Sequence, residues 1–166
     1  MLHTALIALH AAAGIVAVAA GGAALRQRPG FSVYLWSLVA CIGLLAFAIA
    51  VEWSSLDTTS RVLFAAFTAL GAVMVARAIA AHRLLTAGRA RSPRYLDHIG
   101  FTLVALLDAF LVILVLDLGA PGWLVTGAGV IGAIAGHHAL AILKHRLADQ
   151  EARLADPRHR HRSASR

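Results

Sequence analysis

Five long apolar stretches restrict this chain to a membrane fold. An α-helix needs about 20 apolar residues to cross the hydrocarbon core of a bilayer, and the stretches that meet this length span residues 2–25, 32–51, 62–82, 98–118 and 122–144. The chain of 166 residues is 60% hydrophobic and 14% charged, which is too apolar for a soluble globule of this size. The stretches are also too long and too continuously apolar for barrel strands. The sequence therefore predicts an all-α integral membrane protein with five transmembrane helices within residues 1–145.

The positive charges predict the orientation of these helices. Of the 15 Lys and Arg residues, 13 lie in the first loop, the third loop and the C-terminal tail, whereas Arg61 alone lies on the other side and Arg77 lies inside a span. Positively charged loops stay in the cytoplasm. The N-terminus is therefore expected outside, and residues 146–166 are expected to form a basic cytoplasmic tail that starts as a helix and ends disordered. The net charge of +7 follows from this topology and from contact with anionic lipid, so nucleic acid is not an expected partner.

Short polar segments mark the helix ends. In "SSLDTTS", Thr59 or Ser60 is expected to cap the third helix, and Ser92 is expected to cap the fourth helix with Pro93 as its first residue. The link "GAPG" between the fourth and fifth spans is so short that these two helices are expected to be antiparallel neighbours.

Small residues indicate where helices approach one another closely. Gly132 and Gly136 form a GxxxG pattern in the fifth span, and Gly14 and Gly21 share a face of the first. The GxxxG pattern fits packing inside the bundle and a homo-oligomer through Gly132 and Gly136 equally well. The single cysteine, Cys41, is expected to be a small apolar core residue.

Two charged residues fall inside predicted spans. Asp108 lies near the middle of the fourth, where inserting an Asp costs about 2.5–3.5 kcal/mol. Its side chain is too short to reach the interface, so it is expected to be neutral, paired or facing a polar cavity. Arg77, in the third span, can either extend to the inner interface or pair with Asp108. The two residues are candidates for an intramembrane ion pair or a proton relay.

Five histidines are candidate ligands or proton carriers. His10 lies in the outer half of the first span, His82 and His98 lie at the inner ends of the third and fourth, and His137 and His138 are adjacent in the fifth. Adjacent residues on a helix point in different directions. At least one of His137 and His138 is therefore expected to face a polar site between the third, fourth and fifth helices, beside Arg77 and Asp108.

Three classes of function compete on these residues. Histidines from different helices can hold a haem b group for electron transfer, and this is the leading prediction. Chains of Asp and His are typical of proton relays and proton-coupled transporters. The small size and short loops also suit an accessory or structural subunit of a larger membrane complex. No HExxH or similar spacing supports zinc hydrolysis, so an enzymatic activity is neither predicted nor excluded.

The opening "LHAAAGIVAVAAGGAALRQRPG" and, more loosely, "RYLDHIGFTLVALLDAF" resemble a family of small bacterial membrane proteins of unknown function. That family is similar in outline to cytochrome b-type four-helix bundles that carry haem between histidines. The resemblance implies a bacterial plasma-membrane protein, with His10 and His98 as the haem ligands. The chain departs from the pattern after the first turn, where "GFSVYLW" stands in place of a second histidine.

Overall fold

A computed structural model describes residues 2–25, 30–89 and 92–155. This part of the chain contains no strand and folds into five helices, which are α1 (Leu2–Leu25), α2 (Phe31–Glu52), α3 (Thr58–Thr86), α4 (Pro93–Asp117) and α5 (Gly122–Ala155). All five are long and apolar enough to cross a membrane. The predicted all-α fold with five membrane-length helices is thereby confirmed.

Side-chain caps mark the starts of α3 and α4. The Ser92 hydroxyl accepts a hydrogen bond from the backbone N–H of Tyr95 at 3.2 Å, and α4 begins at Pro93, as the sequence predicts. The cap of α3 is different from the prediction, because α3 begins at Thr58 and the Asp57 carboxylate accepts from the N–H of Ser60 at 3.3 Å. Asp57 precedes the helix, whereas Thr59 and Ser60 already lie inside it.

The fifth helix is longer than its apolar stretch. It continues through the charged segment to Ala155, so the predicted helical start of the tail is present. The end of the tail that the sequence predicts to be disordered, residues 156–166, lies outside the described residues, as do Arg26, Arg28 and Arg91.

Helices α1 to α4 form a closed four-helix arrangement, and α5 is attached to its outside. Each of α1, α2 and α3 packs against the helix that follows it, and α1 returns to pack against α4. Within the described residues, α5 packs against α4 and against no other helix. The buried core of the four-helix arrangement is formed mainly by α2 and α4, with Tyr34, Leu38 and Cys41 facing Ile99 and Thr102.

Glycines bring α4 close to its neighbours on two sides. A Cβ atom on Gly14 of α1 would lie 2.6 Å from the Phe110 ring, and one on Gly21 would lie 2.7 Å from Leu103. On the other side of α4, a Cβ atom on Gly136 of α5 would overlap Val104. Of the two uses that the sequence allows for Gly132 and Gly136, the structure shows packing against α4 inside the chain.

The outer surface of the bundle suits lipid rather than water. Many large apolar side chains are exposed on every helix, among them Ile15, Trp36, Val62, Leu114 and Trp123. Side chains of this kind are stable in contact with hydrocarbon, and a soluble protein of this size would not expose so many of them. The bilayer is therefore the medium in which this fold is stable.

The close contact of α4 and α5 can be tested with matched glycine substitutions. Gly136→Ala places a methyl group against Val104, whose branched side chain has little rotational freedom in a helix. We expect it to lower the free energy of unfolding by about 1–3 kcal/mol, measured by denaturation of the protein in detergent. Gly127→Ala is the control, because a Cβ atom there meets nothing within 4 Å. Equal stability of the two variants would contradict this packing.

Candidate functional site

A groove of about 1020 Å³ with polar residues in its lining runs along α4 between α3 and α5. Because α3 and α5 do not pack against each other, the face of α4 between them is left open. Asp97, Phe101, Val104 and Asp108 recur at helical spacing along this face. Across the groove stand Arg77 of α3 and, on α5, His137, Lys144 and His145. The groove thus brings Arg77, Asp108 and His137 to one site, where the sequence predicts one.

Asp108 lies at the deep end of the groove. Its Oδ1 atom is buried and has no hydrogen-bond partner, although the residue as a whole is only half-buried. The Oδ1 atom fills the space that a Cβ atom on Gly132 would occupy. Glycine at this position therefore makes room for the carboxyl group between α4 and α5, and it adds no polar partner.

Arg77 does not pair with Asp108. Its guanidinium group lies over the Phe101 ring, with the Cζ atom 4.2 Å from the ring centroid. Phe101 precedes Asp108 by about two helical turns, which is about 10 Å along the axis. From the sequence, Arg77 could either extend to the membrane interface or pair with Asp108. In the structure it does neither and instead makes a cation–π contact at the wall of the groove.

An ion pair that we did not predict from the sequence lies at the end of the groove away from Asp108. The Lys144 ammonium group donates to the Asp97 carboxylate, and the two side chains are 34% and 44% exposed. The antiparallel neighbours predicted from "GAPG" bring the start of α4 to the end of the apolar part of α5. Because the antiparallel packing puts these two segments side by side, an acid at the start of α4 and a base in α5 could have been predicted to pair.

The two adjacent histidines of α5 have different surroundings. Both are exposed, with ring centroids 6.1 Å apart and ring planes at 72°. His137 lines the groove and His138 does not. Of the two, His137 is the one that lines the same groove as Arg77 and Asp108.

His82 and His98 lie away from the groove, near the end of α3 and the start of α4. Each is half-buried, and the Nδ1 atom of each is buried with no partner. The His82 ring stacks on Phe31, with centroids 5.4 Å apart and planes at 19°. Both histidines lie on the side of the contact between Arg77 and Phe101 that leads to the loop between α3 and α4.

His10 lies in the opposite half of the bundle. Its Nδ1–H group donates to the carbonyl oxygen of Cys41 at 2.8 Å. It lies one turn before Gly14, which packs against Phe110, whereas His98 lies about 18 Å before Phe110 along the antiparallel α4, on the other side of this contact. Two axial nitrogens of one haem iron are only about 4 Å apart, given metal–nitrogen bonds of about 2 Å. His10 and His98, the pair implied by the family resemblance, therefore do not fit one haem.

Among the residues that the structure describes, no three His, Cys, Asp or Glu side chains converge as they would around a metal ion. Comparison of the chain with protein-family models, curated proteins and solved structures finds no match. The geometry of this chain alone therefore carries the functional argument.

The position of the Asp108 carboxyl group can be tested with a double-mutant cycle. Gly132→Ala should destabilise the protein by about 1–3 kcal/mol, because the new methyl group meets Oδ1. In an Asp108→Ala background the same change should cost less than about 0.5 kcal/mol, since the carboxyl group is gone. Denaturation in detergent measures both values. The same loss in the two backgrounds would place the carboxyl group elsewhere.

Proposed function

We propose that this chain is a membrane-embedded proton relay. One observation carries the proposal, namely the unpartnered Oδ1 atom of Asp108 at the deep end of a groove that also holds His137 and Arg77. A carboxyl group in hydrocarbon without a partner is rare and is typical of proton pathways.

The physical argument starts from the cost of charge at mid-membrane. Burying a carboxylate without a counter-charge has a large free-energy cost, and protonation of the carboxylate removes that cost. Asp108 is therefore suited to bind a proton from one direction and to release it when its surroundings change. Its exposed part faces the groove, which gives the proton a route to the carboxyl group.

His137 is the next group along this route that can carry a proton. Asp108 is level with Gly132, and His137 follows Gly132 by about 7 Å along α5. That separation is too long for a direct hydrogen bond, so one or two water molecules within the groove would join the groups. Imidazole both accepts and donates protons near neutral pH, which suits an intermediate station.

Arg77 makes release of the proton easier. Its fixed positive charge lies about 10 Å from Asp108 along the helix axis. At such a separation a positive charge favours the carboxylate form of Asp108 only weakly, and the two groups stay unpaired.

The charge distribution supports a direction for the groove. We infer that the N-terminus is outside and the C-terminus is in the cytoplasm of a bacterial plasma membrane, because 13 of 15 Lys and Arg residues lie on one side. The end of the groove marked by Asp97 and Lys144 lies on that side. The groove then connects the cytoplasm with the middle of the membrane.

Proton flux into proteoliposomes tests the proposal. A potassium diffusion potential should drive proton entry through the wild-type protein, recorded with a pH-sensitive dye. Asp108→Asn keeps the size of the side chain and removes the exchangeable proton, so it should reduce the flux to that of protein-free liposomes. His137→Gln should reduce it by about a hundredfold, the scale on which a positioned proton carrier acts.

His138→Gln is the matched control, because His138 is adjacent to His137 and does not line the groove. Its flux should equal that of the wild-type protein. No flux through the wild-type protein, or full flux through folded Asp108→Asn, would refute the relay.

Haem b is a second proposal, with His82 and His98 as the ligands. The two residues belong to neighbouring helices, and each has a buried Nδ1 atom without a partner. If they hold haem b, the purified protein supplied with haem should show a sharp Soret band and, after reduction with dithionite, α and β bands. His82→Ala and His98→Ala should each abolish these bands, and His137→Ala should preserve them. A featureless spectrum from folded protein would reject haem at this pair.

A further inference from the structure

A second cavity lies on another face of α4 and shares Leu70 and Ala105 with the groove. Its volume is about 180 Å³, and its walls come mainly from α2, α3 and α4. The lining is apolar, with Phe64, Phe67, Met74 and Phe110 among the side chains. Among the described residues of the lining, His10 alone carries an ionisable nitrogen base. The relay proposed above does not use this cavity.

The hydrogen bond of His10 determines what its free nitrogen can do. Nδ1 lies 2.8 Å from the carbonyl oxygen of Cys41, and a carbonyl oxygen can only accept, so Nδ1 carries the hydrogen. In the neutral imidazole ring the other nitrogen, Nε2, is then an acceptor. Since His10 lines the cavity and its Nδ1 is engaged with α2, Nε2 is the atom available to a ligand.

The size and lining of the cavity restrict the rest of the ligand. An apolar cavity of about 150 Å³ in another protein binds benzene, so a cavity of this volume holds one six-membered ring. Three phenylalanine rings in the wall favour a flat aromatic partner. The thioether of Met74 adds a favourable sulfur–aromatic contact.

We propose that this cavity binds a phenol-type ligand, an aromatic ring whose hydroxyl group donates a hydrogen bond to Nε2 of His10. The fixed tautomer selects for a donor. A quinone carbonyl of the same shape can only accept, so it would face an acceptor and bind less well. The shared chemistry is the ring hydroxyl, which a small free phenol and a lipid-tailed phenol or quinol both supply.

A matched pair of probes tests the proposal on the full chain in nanodiscs. 4-Methylphenol and p-xylene have nearly the same shape and differ by a hydroxyl group in place of a methyl group. After correction for partition into empty nanodiscs, 4-methylphenol should bind about fivefold more tightly, the value of one neutral hydrogen bond. It should also shift the ¹⁵N resonance of Nε2 of His10, and p-xylene should leave the protonation signature of that nitrogen unchanged.

Variants separate the hydrogen bond from the cavity. His10→Leu should remove the preference for 4-methylphenol over p-xylene, and His138→Leu should preserve it, because His138 lies outside the cavity. Ala109 lines the cavity, so Ala109→Leu should fill it and abolish binding of both probes while His10 is retained. If His10→Leu does not fold, the ¹⁵N measurement and Ala109→Leu still decide the question.

Equal binding of the two probes by the wild-type protein, or a preference that persists in folded His10→Leu, would overturn the proposal. The source of the ring is decided by 4-octylphenol. Binding tighter than its partition explains would identify a lipid-tailed phenol or quinol, and no gain would identify a small free phenol.

Discussion

Close packing of α4 against glycine-bearing helices determines where the polar groups of this protein lie. Gly14 and Gly21 of α1 accept Phe110 and Leu103, and Gly136 of α5 accepts Val104. In lipid there is no hydrophobic force to bring helices together, so contacts of this kind and hydrogen bonds must hold them. Each contact also fixes the alignment of two helices. The depth of every polar side chain relative to the others follows from these alignments.

In hydrocarbon a polar group without a hydrogen-bond partner is costly, and the polar groups of this bundle differ in whether they have one. Tyr34 of α2 hydrogen-bonds Thr102 of α4, and the Thr102 hydroxyl donates in turn to the carbonyl of Ile99 at 2.8 Å. The first bond joins opposite helices of the bundle, and the second lies within α4; both satisfy groups that would otherwise be costly. Against this background, the unpartnered Oδ1 atom of Asp108 is an exception that packing alone does not explain.

Much of the fold could be read from the sequence, because it depends on features that are local in the chain. Apolar stretches of membrane length predict five helices, and Ser92 followed by Pro93 marks the start of α4. The site depends on helix rotation, which the sequence leaves open. Adjacent residues point apart, so the pattern could not tell whether His137 or His138 faces the groove. It also could not place Arg77 over Phe101, since both the aromatic contact and an ion pair satisfy a buried cation.

The attachment of α5 to a single neighbour has a consequence for biogenesis. Helices α1 to α4 close on one another without α5, so the contacts that define the four-helix unit do not require the fifth helix to have been synthesised. The interior cavity is complete apart from one residue of α5, whereas the polar groove has no second wall until α5 docks on α4. Assembly of the polar groove therefore needs a docking step that the four-helix unit and its cavity do not need.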